Sequence, residues 1–245
     1  MINKILTFNK IKFYDFSYQK VKKKLFQEKG CLVIPAASAL AKIKYNKKYF
    51  QALKKSTVAI FDSGYFCLCL LFIKFIKVKK FSGFKFIKKF ISDESLKKKK
   101  ILSLDSSIDD SNKNKLFLKS KKFIFLKNYV CPIYKPNNII DEALLKLILN
   151  YKPFIIIINI GGGKQEILAE YINSKLRKKN IIICSGAALS FHAGHGAKIN
   201  SVIDTLYLGW VARIFHNPKV FFHRIFLSVN LAKVVYYSDI KVSYE

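Results

Sequence analysis

The run FIIIINI at residues 154–160, followed at once by GGGKQE, restricts this chain more than any other segment. It shows no alternation of apolar and polar side chains. A strand with one wet face alternates, whereas a strand covered on both faces reads as a continuous β-branched run. Four other short runs read the same way: CLVI (31–34), TVAIF (57–61), KFIFL (122–126) and IIIC (181–184). Helical spacing fills the intervals at about 38–55, 139–150 and 165–178. DEALLKLIL (141–149) places acids in a first turn ahead of apolar residues at helical spacing. The alternation predicts an α/β doubly wound, mostly parallel sheet with helices on both faces. Residues 1–29 are polar and aromatic, and 92–121 are charged and Ser/Asn-rich around one patch, ILSL; the latter segment reads as a surface excursion. From about residue 200 the pattern is amphipathic and helical to the end. The expected division is therefore 1–199 and a C-terminal helical appendage at 200–245.

A chain of 245 residues suffices for one sizeable α/β domain with an appendage. The net charge is +30, from 45 basic and 15 acidic residues. Such a balance fits nucleic acid, an anionic membrane surface, or plain drift in a chain rich in Lys, Ile and Asn. Only Arg177, Arg213 and Arg224 are arginines, and nucleic-acid readers rely on arginine for forked contacts. Nucleic acid is therefore not expected, and an anionic membrane surface is kept as a partner. Five scattered cysteines, an odd number, suit a reducing cytoplasm. The N-terminus shows no signal-peptide h-region. The longest apolar stretch, YFCLCLLFIKFI (65–76), is too short to span a bilayer and carries Lys74.

Ligands of open α/β sheets bind beyond the carboxyl ends of the strands. Here TVAIF runs into Asp62-Ser63-Gly64, FIIIINI into Gly161-Gly162-Gly163-Lys164-Gln165-Glu166, and IIIC into Ser185-Gly186-Ala187-Ala188. Glycines at such ends let backbone N–H groups approach a ligand, and the following helix turns its positive end toward an anion. Neither familiar phosphate loop fits. A P-loop needs Ser or Thr after Gly-Lys, and the dinucleotide fingerprint needs spaced glycines. Asp62, at the end of an apolar strand, reads either as a general base or as the cap of the next helix. His192 and His195 lack a nearby third ligand, so no metal is expected. Arg213 and Arg224 stand out in a chain that otherwise writes Lys, and their forked donors suit a diphosphate, although amphipathic helices also carry surface arginines.

Taken in order, the Asp-x-Gly after a strand, Ser82-Gly83, G-G-G-K-Q-E, C-S-G-A-A-L-S-F-H-A-G, L-G-W-x-x-R and N-P-x(5)-R resemble the WecG/TagA/CpsF glycosyltransferases, across residues of about 31–226. The resemblance implies a Rossmann-like domain with a membrane-docking appendage. It implies inverting, metal-independent transfer of an N-acetylhexosamine from a UDP donor to a polyprenyl-diphosphate-linked acceptor sugar in cell-surface polysaccharide synthesis. It makes the chain peripheral on the inner face of the membrane and needs no cofactor. Carried over by position, Asp62 is the base, and Arg213 and Arg224 reach the diphosphate. Lys80, Gly161, Gly162, Gly163, Gln165, Glu166, Gly186 and Ala187 surround the donor. The chain departs from the family pattern at Lys80, Gly163, Ser190 and Gly209, where the family has Arg, Pro, Asp and Glu. The alternative is a non-catalytic α/β nucleotide-binding protein at the membrane surface. Self-association is left open.

Overall fold

A computed structural model of the chain describes residues 3–135, 139–177, 179–196, 204 and 218–245, with side chains from 226 onward in the last stretch. The strands are β1 (Lys4–Phe8), β2 (Ile11–Asp15), β3 (Gly30–Val33), β4 (Val58–Ala59), β5 (Ile101–Asp105), β6 (Leu126–Val130), β7 (Ile155–Asn159), β8 (Ile181–Cys184) and β9 (Ile240–Tyr244). They form one sheet in the order β6-β5-β7-β8-β3-β4-β2-β1-β9. Pairing is parallel from β6 through β2; β1 then runs antiparallel to both β2 and β9.

The helices are α1 (Tyr18–Glu28), α2 (Ala37–Ala41), α3 (Lys47–Lys55), α4 (Gly64–Lys74), α5 (Gly83–Ile91), α6 (Ile108–Ser120), α7 (Glu142–Tyr151), α8 (Lys164–Leu176), α9 (Ala188–Ala193) and α10 (Pro218–Tyr236). The apolar strands explain the layering. Ile156 and Ile158 of β7 face one core, with Leu53 of α3, Leu70 of α4, Leu168 of α8 and Leu231 of α10. Ile155 and Ile157 face the other, with Leu25 of α1, Phe86 of α5, Leu118 of α6 and Leu189 of α9. Each strand residue is thus buried whichever way it points, so no alternation survives in the sequence. Neighbouring strands β3 and β8 send their connections to opposite faces, α2 to one and α9 to the other. Such a divergence marks the switch point beyond which open α/β sheets bind their ligands.

Three expectations need correction, and one further element, a hairpin, carried no sequence signal. The segment 92–121 is no surface excursion. ILSLD forms β5, buried throughout between β6 and β7, and the charged residues after it form α6. Ser107 caps α6, accepting from Asp110 N at 3.1 Å, and Asp109 and Asp110 occupy its first turn. Its largely exposed surface hides the apolar periodicity that would announce a helix. The run at 122–126 precedes its strand rather than forming it. Lys122 turns with φ of 65°, and β6 begins at Leu126. Residues 4–15 form a hairpin around Asn9 and Lys10, both at positive φ, which is the geometry of a type I′ turn without the glycine that usually signals it. The chain is also not helical to its end, because β9 returns to pair with β1.

The carboxyl ends of β5, β6 and β7 meet in one polar network. Asp105 has no exposed surface and accepts from Asn114 Nδ2 (2.7 Å), Asn159 Nδ2 (2.8 Å), Asn128 Nδ2 (2.9 Å) and Ser103 Oγ (2.9 Å). Ser185, past β8, donates to Asn159 Oδ1. Removing the shared acceptor strands several buried donors, each costing about 1–3 kcal/mol. Asp105→Ala is therefore expected to lower stability by at least about 3 kcal/mol, seen as a drop in the denaturant midpoint with an unchanged m value.

Candidate functional site

Asp62, the glycines 161–163 and Gly186 all leave the carboxyl edge of the parallel strands, after β4, β7 and β8 respectively. Asp62 is half-buried, and its Oδ1 accepts from Gly83 N at 2.8 Å, the first amide of α5. It therefore caps a helix, but not the one that follows it, since α4 is capped by Ser63, which accepts from Phe66 N at 3.1 Å. Among the described residues Asp62 Oδ2 takes no hydrogen bond. Gly83 binds this corner to the next: a Cβ there would sit 3.3 Å from Ile34 Cγ2 and 3.4 Å from Ala188 Cβ. The absent side chain lets the start of α5 lie against the ends of β3 and β8.

Ser82 caps α5 through Lys85 N and donates to Asp204 Oδ2 at 2.8 Å. Lys80 Nζ reaches Asp204 Oδ1 at 2.9 Å and its carbonyl oxygen at 2.6 Å, and Lys85 Nζ lies 3.5 Å from Oδ2. The Lys80 and Asp204 side chains are only 8 % and 6 % exposed. Lys80, expected at the donor, is thus held by a carboxylate from the chain's own later segment. That partner left no sequence signal, because the two residues lie 124 positions apart. Asp105 was also missed, although it follows an apolar run as Asp62 does.

The residues after the glycines form a chain of hydrogen bonds. Gly186 N donates to Gln165 Oε1 (2.8 Å), Gln165 Nε2 donates to Glu166 Oε1 (3.0 Å), and Gly163 N donates to Glu166 Oε2 (2.7 Å). Gln165 and Glu166 are buried and clamp the β7 loop to the β8 loop. Burial pushes the Glu166 carboxyl up, and its hydrogen bonds oppose the shift. Gly163 has φ of 91°, a conformation that side chains resist. Gly161 and Gly162 differ. Neither lies in the left-handed region, and an added Cβ at either would meet nothing within 4 Å. Ala187 is exposed at the start of α9.

The two histidines diverge. His192 stacks on Phe84 at 4.2 Å, with Nε2 2.9 Å from the Phe84 carbonyl oxygen, and burial lowers its pKa. His195 instead faces Asp110, Nε2 to Oδ1 at 3.4 Å. No group of three metal-ligating side chains forms among the described residues. Ser190, where the resemblance expects Asp, donates to Ala187 O at 2.8 Å. Gly209 and Arg213 lie outside the described residues, as does the side chain of Arg224, which sits in α10.

A doubly wound sheet whose carboxyl edge gathers a half-buried carboxylate, open glycine backbone and clamped loops has the frame of an α/β enzyme acting on a phosphorylated ligand. The family model for the Glycosyl transferase WecG/TagA/CpsF family matches residues 6–240, and the chain belongs to that family. No curated protein matches it. Membership makes this a glycosyltransferase of cell-surface polysaccharide synthesis, with a sugar-nucleotide donor and a lipid-linked acceptor in general.

The clamp has a fixed polarity. Both Glu166 oxygens face N–H donors, so an amide at this position sets one N–H against another. Glu166→Gln is expected to cost about 1–3 kcal/mol in chemical denaturation, although the side chain keeps its size.

Proposed function

We propose that the protein transfers an N-acetylhexosamine from a UDP donor to a polyprenyl-diphosphate-linked sugar, with inversion, at the inner face of the membrane. The observation that carries this is the backbone at Gly161 and Gly162. Nothing within the described protein requires glycine there, since a side chain would have both room and an ordinary backbone conformation. A ligand lying against the backbone supplies the requirement, and the α8 N-terminus beside it favours an anion.

In this reading the acceptor hydroxyl oxygen attacks the anomeric carbon. The bond from that carbon to the diphosphate oxygen breaks, and UDP leaves with the electron pair. The hydroxyl proton passes to Asp62 Oδ2, while Oδ1 stays on Gly83 N and fixes the carboxylate. The charge growing on UDP falls to the Gly161–Gly162 backbone, the α8 N-terminus, Arg213 and Arg224. Lys80 stands at the edge of the donor with its charge balanced by Asp204. Residues 200–245 serve as the appendage that carries the arginines.

Two variants test the reading. Gly162→Val is expected to keep its unfolding midpoint without ligand and to bind UDP at least about tenfold more weakly, read from the ligand-induced rise in melting temperature. Unchanged UDP affinity would remove the ligand from that loop. Asp62→Asn keeps an acceptor for Gly83 N but loses basicity. It is expected to bind UDP like the parent and to transfer sugar at least about 100-fold more slowly. Near-normal turnover by this variant sinks Asp62 as the base. A parent chain that binds UDP but never transfers sugar is instead the non-catalytic nucleotide-binding protein.

A further inference from the structure

Helix α4 buries Phe66, Cys67, Cys69 and Leu70 and turns a second apolar stripe to water. Tyr65, Leu68, Phe72 and Phe75 recur at helical spacing along that outer face, with Phe72 71 % and Phe75 89 % exposed. Phe75 closes the helix with φ of 56° and ψ of 28°, a left-handed position where Gly or Asn costs far less. Among the described residues, no packing explains a bulky ring kept in that conformation and left in water.

The stripe does not stand alone. α10 lies alongside α4: Tyr65 Oη donates to Val229 O at 3.4 Å, and Lys74 Nζ to Tyr236 O at 2.9 Å. α10 exposes Phe226, Val229 and Tyr236. The two helices thus present one apolar and aromatic face.

Charge decides what covers it. No acidic residue occurs between Asp62 and Asp93, or between Asp204 and Asp239. Lys77, Lys79 and Lys233 are exposed on these same segments. The chain carries +30 overall, so two copies meeting on this face repel each other. An anionic bilayer attracts it, and aromatic rings with flanking lysines suit the headgroup boundary.

We infer that the α4–α10 face is a lipid-contact surface that seats the protein on an anionic membrane, with the Phe72 and Phe75 rings entering the headgroup region. No helix of the described residues is long and apolar enough to cross a membrane, which fits a helix lying on the surface. The inference rests on the lipid-linked acceptor of the proposed function and adds the geometry that reading lacks. α4 starts two residues after Asp62 and is 11 residues long, or about 16 Å. Seating α4 on the bilayer therefore holds Asp62 within reach of a sugar carried on a lipid diphosphate.

The test is flotation of the full chain with vesicles of equal parts phosphatidylglycerol and phosphatidylcholine, in about 0.15 M and about 1 M salt. The parent is expected to float in both, more weakly in high salt. The double variant Phe72→Gln/Phe75→Asn is expected to lose at least about tenfold in partitioning, most clearly in high salt where lysine attraction is screened. Lys98→Gln/Lys99→Gln, just ahead of β5 at the amino edge of the sheet, is expected to change high-salt partitioning less than about twofold. The inference is overturned if the aromatic variant floats like the parent, or if the parent ignores these vesicles. A parent that sediments as a dimer, with a monomeric aromatic variant and no flotation by either, makes the face an interface between copies instead. Nucleotide binding, followed by thermal shift on the same samples, is expected to be unchanged in the aromatic variant. A parent that floats but binds no nucleotide sinks the proposed function and leaves the lipid surface standing.

Discussion

A parallel sheet buried on both faces has only its edges left for polar chemistry. In this protein the β7 isoleucines fill two cores at once, and every other central strand follows suit. Side chains that need water or a ligand are pushed past the strand ends, where the connections turn. Asp62, the three glycines and Gly186 are therefore neighbours because they share a position relative to the sheet, not because they share a loop.

Gathering polar groups at one edge creates a second problem, since many of them are buried there away from bulk solvent. The structure solves it with acceptors shared by several donors. Asp105 takes four hydrogen bonds from three strands and a helix. Gln165 and Glu166 pass one chain of hydrogen bonds between two loops. Asp62 and Asp204 both converge on the start of α5, one on the Gly83 amide and the other on Ser82 and two lysines. Each of these fixes a loop whose glycines could not fix themselves. The open backbone at Gly161 and Gly162 is the part of the edge left for a ligand.

The charge of the chain reads differently once α4 is in place. Lysines spread over the whole surface carry little meaning singly. Beside a face of exposed Phe and Tyr with no nearby carboxylate on its own segments, they become directional. A stretch too short to cross a bilayer is long enough to lie on one, with the candidate base at its first turn.

The sequence alone determined the class of fold and the order of the chemistry. Runs such as FIIIINI exclude a half-wet sheet, and the blocks from Asp-x-Gly to N-P-x(5)-R carry the resemblance that the family match made firm. It could not locate β5, because five buried residues between a lysine run and an exposed helix have no periodicity of their own. Nor could it reveal the hairpin turned by Asn9 and Lys10, or the return of β9 to β1, since strand pairing is decided between distant segments. Gln165 and Glu166 were legible as important; that they clamp two loops was not, because their partners are backbone amides that every residue possesses. The hold of Asp204 on Lys80 and the outward face of α4 were decided by tertiary structure alone. An ion pair across 124 residues and the wet side of a helix apolar on nearly every face exist only once the neighbouring segments have packed.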